Sequence, residues 1–184
     1  MKAGESKPNE TARRLLEAQY RESLAAVTER MFGVAGIVPG QRVLDLGTGG
    51  GDTALIAAER VGPTGSVLAT DASMDALQGL VAQLSALPQP LPVTVEQVAA
   101  ESLAVEPASF DVAFARNSAM YFTDLALALA NIRAALRTGG RFVASVYGPL
   151  EREPFHAVPV AAVRRRHQLN APYPDYVRAF QVSA

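Results

Sequence analysis

The sequence predicts an α/β fold, a three-layer sandwich built on a mainly parallel sheet. Two observations carry this expectation. Short apolar runs, several of them β-branched, recur at 42–46, 66–70, 93–98, 110–115 and 141–147, as strands covered on both faces should. Segments with apolar residues at helical spacing lie between them, and strand and helix in regular succession imply right-handed βαβ units with helices on both faces of the sheet. At 184 residues, the chain suits one domain that buries roughly 70% of its unfolded surface.

The elements follow in order. Residues 1–9 are polar, with Gly4 and Pro8, and read as a frayed leader. From Thr11, the apolar residues Leu16, Tyr20, Leu24, Val27 and Met31 step by four, four, three and four, which marks one face of a helix packed on the core. Gly33, Gly36 and Pro39-Gly40 end it. The first strand runs into a glycine-rich turn, Gly47 to Gly51, and a helix begins near Asp52. Leu77, Leu80, Leu84 and Leu87 share one face of the next helix, and Pro88, Pro90 and Pro92 break the chain before the third strand. Leu125, Leu129, Ile132 and Leu136 form the last helical stripe, with Thr123 or Asp124 as N-cap and Gly139-Gly140 as the stop. Beyond Tyr147 come a charged loop, a helix over about 155–169 and a Pro-containing tail. The expected organisation is therefore 1–40, a leader and a packing or lid helix; 41–148, the ligand-binding core; and 149–184, a helical segment on the substrate side or at an interface.

Charge and composition narrow the chemistry. Seventeen Lys and Arg against 18 Asp and Glu give a net charge of −1, so no overall basic character favours nucleic acid or an anionic membrane. The absence of Cys removes disulfides, thiolate zinc sites and a cysteine nucleophile. Any metal would need carboxylates with His156 and His167, and no metal is expected. The charged N-terminus lacks a signal-peptide pattern and no run approaches 18 apolar residues, so the expectation is a cytoplasmic protein.

The segment RVLDLGTGGGDTAL carries the most chemistry. Its glycines permit positive φ and let a ligand approach main-chain atoms that a Cβ would shield. Asp71 ends the second strand, 20 residues past Gly51, where a carboxylate can accept hydrogen bonds from both hydroxyls of a ribose. Two nucleoside readings compete. A dinucleotide fingerprint fits Gly49, Gly51 and Ala54 only if Gly47 is ignored. The register Asp45-x-Gly47-x-Gly49-x-Gly51 is the better one; it sets a carboxylate where a pyrophosphate would be repelled and an ammonium welcomed. No P-loop sequence is present. A tight turn without a ligand is the bland reading, and Asp45 and Asp71 argue against it.

Four motifs stand in order over residues 41–148: VLDLGTGGGDTA, ATDASMDAL, VAAESLAVEPASFDVAFARNS and IRAALRTGGRFVASVYGP. Together they resemble the class I S-adenosylmethionine-dependent methyltransferases, in particular the small-molecule branch with the ubiquinone and menaquinone C-methyltransferases. The resemblance implies a Rossmann-like fold, S-adenosyl-L-methionine as cofactor, and methyl transfer to O, N or C of a small organic molecule. It also implies site residues. Gly47, Thr48, Gly49 and Gly51 would line the methionine part, with Asp45 near its ammonium; Asp71 would hold the ribose; Ala72 would border the cofactor and Met74 would pack on the adenine; and the backbone of Ala99 and Ala100 would meet the adenine edge. Arg116 and Asn117 would border the cofactor at the end of the fourth strand, and Tyr20 would double as part of a lid.

Departures from the family pattern are equally specific. Ala99 stands where an acidic residue usually bonds the adenine amino group, so that contact is either missing or supplied by Glu101. Met120-Tyr121 replaces a pair of histidines found in many relatives, so the catalytic residue is unassigned and the candidates are Tyr121 and His156. Arg164, Arg165 and Arg166 read as a solvated helix face. The family's sheet ends in an antiparallel hairpin that the strand count here lacks, so the expectation is either a truncated form or an edge after Tyr147 covered by a second copy in a homodimer, by a partner subunit or by an unusual arrangement. The alternatives are a regulatory binding protein with this fold but no methyl transfer, and an NAD-dependent oxidoreductase.

Overall fold

The computed structural model describes residues 22–148. Tyr20, His156, His167, the arginines at 164–166 and the expected helix at 155–169 lie outside the described residues, as does the start of the N-terminal helix. Within them the order is α1 (Ala25–Ala35), β1 (Arg42–Leu46), α2 (Asp52–Val61), β2 (Ser66–Asp71), α3 (Met74–Ala86), β3 (Val93–Gln97), β4 (Phe110–Arg116), α4 (Leu125–Ala135) and β5 (Leu136–Ser145). Single turns of 3₁₀ helix occur at Ala100–Ser102 and Ala119–Tyr121. The five strands form one sheet in the order β3-β2-β1-β4-β5, and every pairing is parallel. Among the described residues the sheet has no antiparallel hairpin, and β5 is an edge strand.

Each face of the sheet has its own core. On one, Met31 and Phe32 of α1 pack with Ala54, Ala57, Ala58 and Val61 of α2 and Leu80 of α3 against Val43, Val67, Val112 and Phe114. On the other, Ala128, Ile132 and Ala135 of α4 cover Leu44, Leu46, Ala113 and Ala115. Alternating residues of β1 and β4 thus point to opposite cores, the continuous apolar pattern expected of a central parallel strand.

The α1 stripe is rotated from its expected position. Leu24 and Met31 are buried, but Val27 is 37% exposed and Thr28 takes the buried place beside it. The Thr28 hydroxyl can be buried because it donates to Leu24 O at 2.9 Å, which satisfies the polar group within its own helix. The helix runs through Gly33 and stops at Gly36, which adopts φ +61 and donates its N–H to Phe32 O, a left-handed C-cap. Arg141 of β5 donates to the carbonyls of Val34 and Ala35 at this end.

The end of α4 also differs from expectation. Asp124 is the N-cap, its carboxylate accepting from Leu127 N at 3.0 Å. The helix ends at Ala135, ahead of Gly139-Gly140. Its last carbonyls, those of Ala134 and Ala135, accept from the N–H groups of Ala108 and Ser109 at 2.8 and 2.9 Å; that capture directs the chain straight into β5. Gly139 and Gly140 instead lie in an irregular stretch of β5, where pairing shifts from Leu136 opposite Phe110 to Arg141 opposite Val112. Gly139 has φ +80, the freedom this bulge requires.

Candidate functional site

The strand order reverses between β1 and β4: β2 and β3 lie to one side of β1, β4 and β5 to the other. Connections leave such a point in opposite directions and open a crevice at the carboxyl ends of the strands. Residues 46–51 after β1 and 116–118 after β4 meet there. Their approach is close, since a Cβ on Gly47 (φ +65) would stand 2.4 Å from Ser118 Cβ. The Ser118 hydroxyl donates to Leu46 O at 2.6 Å and pins the two loops together.

Four restraints shape the glycine turn. From β2, Asp71 Oδ2 accepts from Gly49 N at 3.0 Å, while Oδ1 accepts from Ser73 N at 2.9 Å. Each oxygen keeps a further lone pair for a ligand hydroxyl. Beneath the turn, the hydroxyls of Thr48 and Thr53 donate to Asp45 Oδ2 at 2.7 and 2.6 Å. From α3, Gln83 donates to Gly50 O at 3.1 Å, and Leu80 fills the space a Cβ on Gly51 would need. At the exit, Arg116 pairs with Asp52, 2.5 Å between nitrogen and oxygen. The outer surface of the turn is open to the described residues: none of them lies within 4 Å of a Cβ built on Gly49 or Gly50.

Asp45 is 1% exposed, and its Oδ1 has no hydrogen-bond partner among the described residues. Burial pushes its carboxyl above the usual range; the Thr53 and Thr48 hydroxyls and the Arg116 charge pull it back, and Asp52 adds to the push. Its two bonded hydroxyls make it the floor of the turn.

The expected residues that are described take differing places around this crevice. Gly47, Thr48, Gly49, Gly51, Asp45 and Asp71 form the turn and its restraints. Ala72 and Met74 lie beside Asp71 at the start of α3, and Met74 is 48% exposed. Ala99 precedes the 3₁₀ turn at Ala100–Ser102 after β3. Asn117, at φ +51, receives the Ser145 hydroxyl on Oδ1 at 2.8 Å. Arg116 is directed at Asp52 and at Thr28, whose hydroxyl accepts from Nη1 at 2.7 Å. Tyr121 is 60% exposed beyond β4.

Glu101 has other partners than an adenine. Its Oε1 accepts from the N–H groups of Thr123 and Asp124 and from the Thr123 hydroxyl. Partial burial works against its charge, but these donors and its own N–H hold the carboxyl below the usual range. Thr53, Asp52 and Gln83 were not singled out from the sequence. A hydroxyl directly after a glycine turn, eight residues past a buried acid, was the available signal for Thr53.

A family profile described as a methyltransferase domain matches residues 37–170. The chain belongs to this methyltransferase family. Its fold is that of the class I S-adenosylmethionine-dependent methyltransferases. Among curated relatives it is 37% identical over 124 residues to the ribosomal RNA large subunit methyltransferase E of Chromohalobacter salexigens, covering 59% of this chain and 55% of that protein. It is 31% identical over 129 residues to the ubiquinone/menaquinone biosynthesis C-methyltransferase of Cupriavidus taiwanensis, covering 67% and 52%. The chain thus spans about half the length of these two relatives. A SAM-dependent methyltransferase from Aquifex aeolicus shares the fold with a TM-score of 0.63 at 18% identity, over 76% of this chain and 77% of that one.

The family's cofactor is S-adenosylmethionine, and the methyltransferase site fits its chemistry. An open glycine turn offers room, and Asp71 offers two acceptor oxygens to a diol. No cluster of potential metal ligands occurs among the described residues, and none of their helices is long and apolar enough to cross a membrane.

Proposed function

We propose that this chain transfers a methyl group from S-adenosylmethionine to an O, N or C atom of a small organic molecule. The observation that carries the proposal is the glycine turn at the switch point, with its open outer face and the Asp71 carboxylate bonded to the Gly49 N–H. The cofactor supplies a methyl group already activated by a positive sulfur. The chain's residues therefore bind and align: the turn and Asp71 hold the nucleoside end, Ala72 and Met74 offer apolar surface beside it, and the crevice toward β4 and β5 is left for the acceptor. Excluding water from that crevice raises the effect of every charge in it. Tyr121 and His156 remain the candidates for an acid-base role, which is needed only where the acceptor must lose a proton.

The same reading assigns residues 41–148 to the cofactor core, the helix before β1 with Tyr20 to packing and covering it, and 149–184 to the acceptor side or an interface. It sets a second copy or a partner subunit against the β5 edge. Methylation of RNA is a second reading, favoured by the likeness to a ribosomal RNA methyltransferase and opposed by the net charge of −1; salt-dependent RNA binding would support it.

Calorimetry tests the proposal. The chain should bind S-adenosylmethionine, and Asp71→Ala should weaken binding about 10-fold or more, as loss of charged hydrogen bonds of about 1.5–3 kcal/mol requires. No heat of binding at millimolar cofactor, with NAD instead raising the unfolding temperature, would reject methyl transfer in favour of an oxidoreductase.

A further inference from the structure

We propose that Arg116 is a positioning residue, which sets cofactor affinity by bracing the glycine turn through Asp52 and Thr28 without touching the ligand. The inference rests on the reading that this turn holds S-adenosylmethionine.

Arg116 ends β4 at the switch point, where a cation could face a ligand, yet its guanidinium turns away. Nη2 lies 2.5 Å from Asp52 Oδ2, and Nη1 donates to Thr28 Oγ1 at 2.7 Å. The two side chains of the ion pair are only 10% and 18% exposed. Thr28 in turn donates to Leu24 O, so one cation links β4, the first residue of α2 and the first turn of α1. Residues 28, 52 and 116 come from three separate elements, and no one of these contacts is local in sequence.

The place of Asp52 gives the brace its effect. It follows Gly51, whose φ of +84 completes the turn, so a shift at Asp52 is a shift of the turn's exit. The other restraints, from Asp71, Gln83 and the hydroxyls on Asp45, hold residues 48–50 and Thr53. Arg116 alone among these groups ties the exit to α1. It is also the cation whose charge acts on Asp45, while Asp52 opposes ionisation there. Removing Arg116 would leave the half-buried Asp52 at the exit without its ion-pair partner and with the charge of Asp45 unbalanced, a reason for the exit to shift. The apolar packing of Met31 and Phe32 on α2 keeps α1 attached when Arg116 is changed, so loss of the brace should alter the turn before it releases the helix.

The test measures the S-adenosylmethionine dissociation constant by calorimetry for the full chain and for Arg116→Met, Arg116→Lys, Asp52→Asn and Arg116→Met/Asp52→Asn, with circular dichroism to confirm folding. Arg116→Met and Asp52→Asn should each weaken binding about 10-fold, within the range seen when a coupled positioning contact is lost. The double variant should be no weaker than the worse single one, since both act through one contact. Arg116→Lys should recover part of the loss. Should Arg116→Met fail to fold, Thr28→Val carries the test, because it removes one hydroxyl from an intact helix; about 3-fold weaker binding supports the brace. Unchanged affinity in folded Arg116→Met or Thr28→Val, or additive losses in the double variant, overturns the inference while wild-type binding stands. If the wild-type chain itself fails to bind, the reading of the turn is what falls, and the inference falls with it.

Discussion

Gly47→Ala tests the meeting of the two loops at the switch point. The new Cβ would stand 2.4 Å from Ser118 Cβ and 2.9 Å from its Oγ, against about 3.5–4.0 Å for carbon atoms in ordinary contact. More than an ångström must be found between loops that are already pinned by the bond from Ser118 to Leu46 O. Overpacking of this kind costs about 1–3 kcal/mol. Holding alanine at φ +65 costs about 1–2 kcal/mol more. The expected destabilisation is therefore about 2–5 kcal/mol, read from urea unfolding followed by far-ultraviolet circular dichroism.

Ser118→Gly separates the two terms. It deletes both atoms that the new methyl meets but leaves the backbone angle as it was. Gly47→Ala/Ser118→Gly should therefore be more stable than the sum of the single effects by about 1–3 kcal/mol, the overpacking part. Additivity within about 0.5 kcal/mol would refute the steric argument. So would a Gly47→Ala variant as stable as the wild type.

The remaining expectations concern neighbouring positions. Gly49→Ala meets nothing within 4 Å among the described residues, leaving the backbone cost of φ +54; it should lose about 1–2 kcal/mol of stability but weaken S-adenosylmethionine binding at least 10-fold by calorimetry, because its methyl enters the open face of the turn. Glu101 is held ionised by donors at the start of α4, with its folded carboxyl below the usual value. Its contribution is therefore present above the unfolded value near 4.5 and is lost as pH falls through the lowered folded one. Glu101→Gln should flatten that acid limb in a plot of unfolding free energy against pH, and an unchanged limb would show that Glu101 does not carry it.

Much of this fold was legible in the sequence because a buried parallel strand writes itself in consecutive residues. Val43, Leu44 and Leu46 are all at or below 1% exposure, and the run they form needs no knowledge of the neighbours. The turn was legible for a similar reason: Gly47, Gly49 and Gly51 all adopt positive φ, a demand that a single residue type meets. Errors fell where a distant group decides. The stop of α4 is set by N–H groups of Ala108 and Ser109, which no window around Gly139 contains. Thr28 displaces Val27 from the buried face because a buried hydroxyl finds Leu24 O within the helix and an arginine 88 residues away.

Asp45 marks the boundary between what spacing reveals and what it does not. The D-x-G-x-G-x-G register draws attention to its charge and suggests a ligand ammonium, whereas the fold places the carboxylate beneath the turn with one oxygen taken by two threonines. Those threonines are three and eight residues away, near enough to be found by asking which hydroxyls could answer a buried acid. Arg116 is 71 residues away, but strand order supplies it: β1 and β4 are neighbours at the switch point, so the residues ending them must lie side by side. A buried acid at the end of one strand and a cation at the end of its neighbour thus predict electrostatic coupling before any side chain is placed. What topology alone leaves open is the direction of the cation, and here Asp52 and Thr28, by accepting its hydrogen bonds, turn it from the ligand to the scaffold.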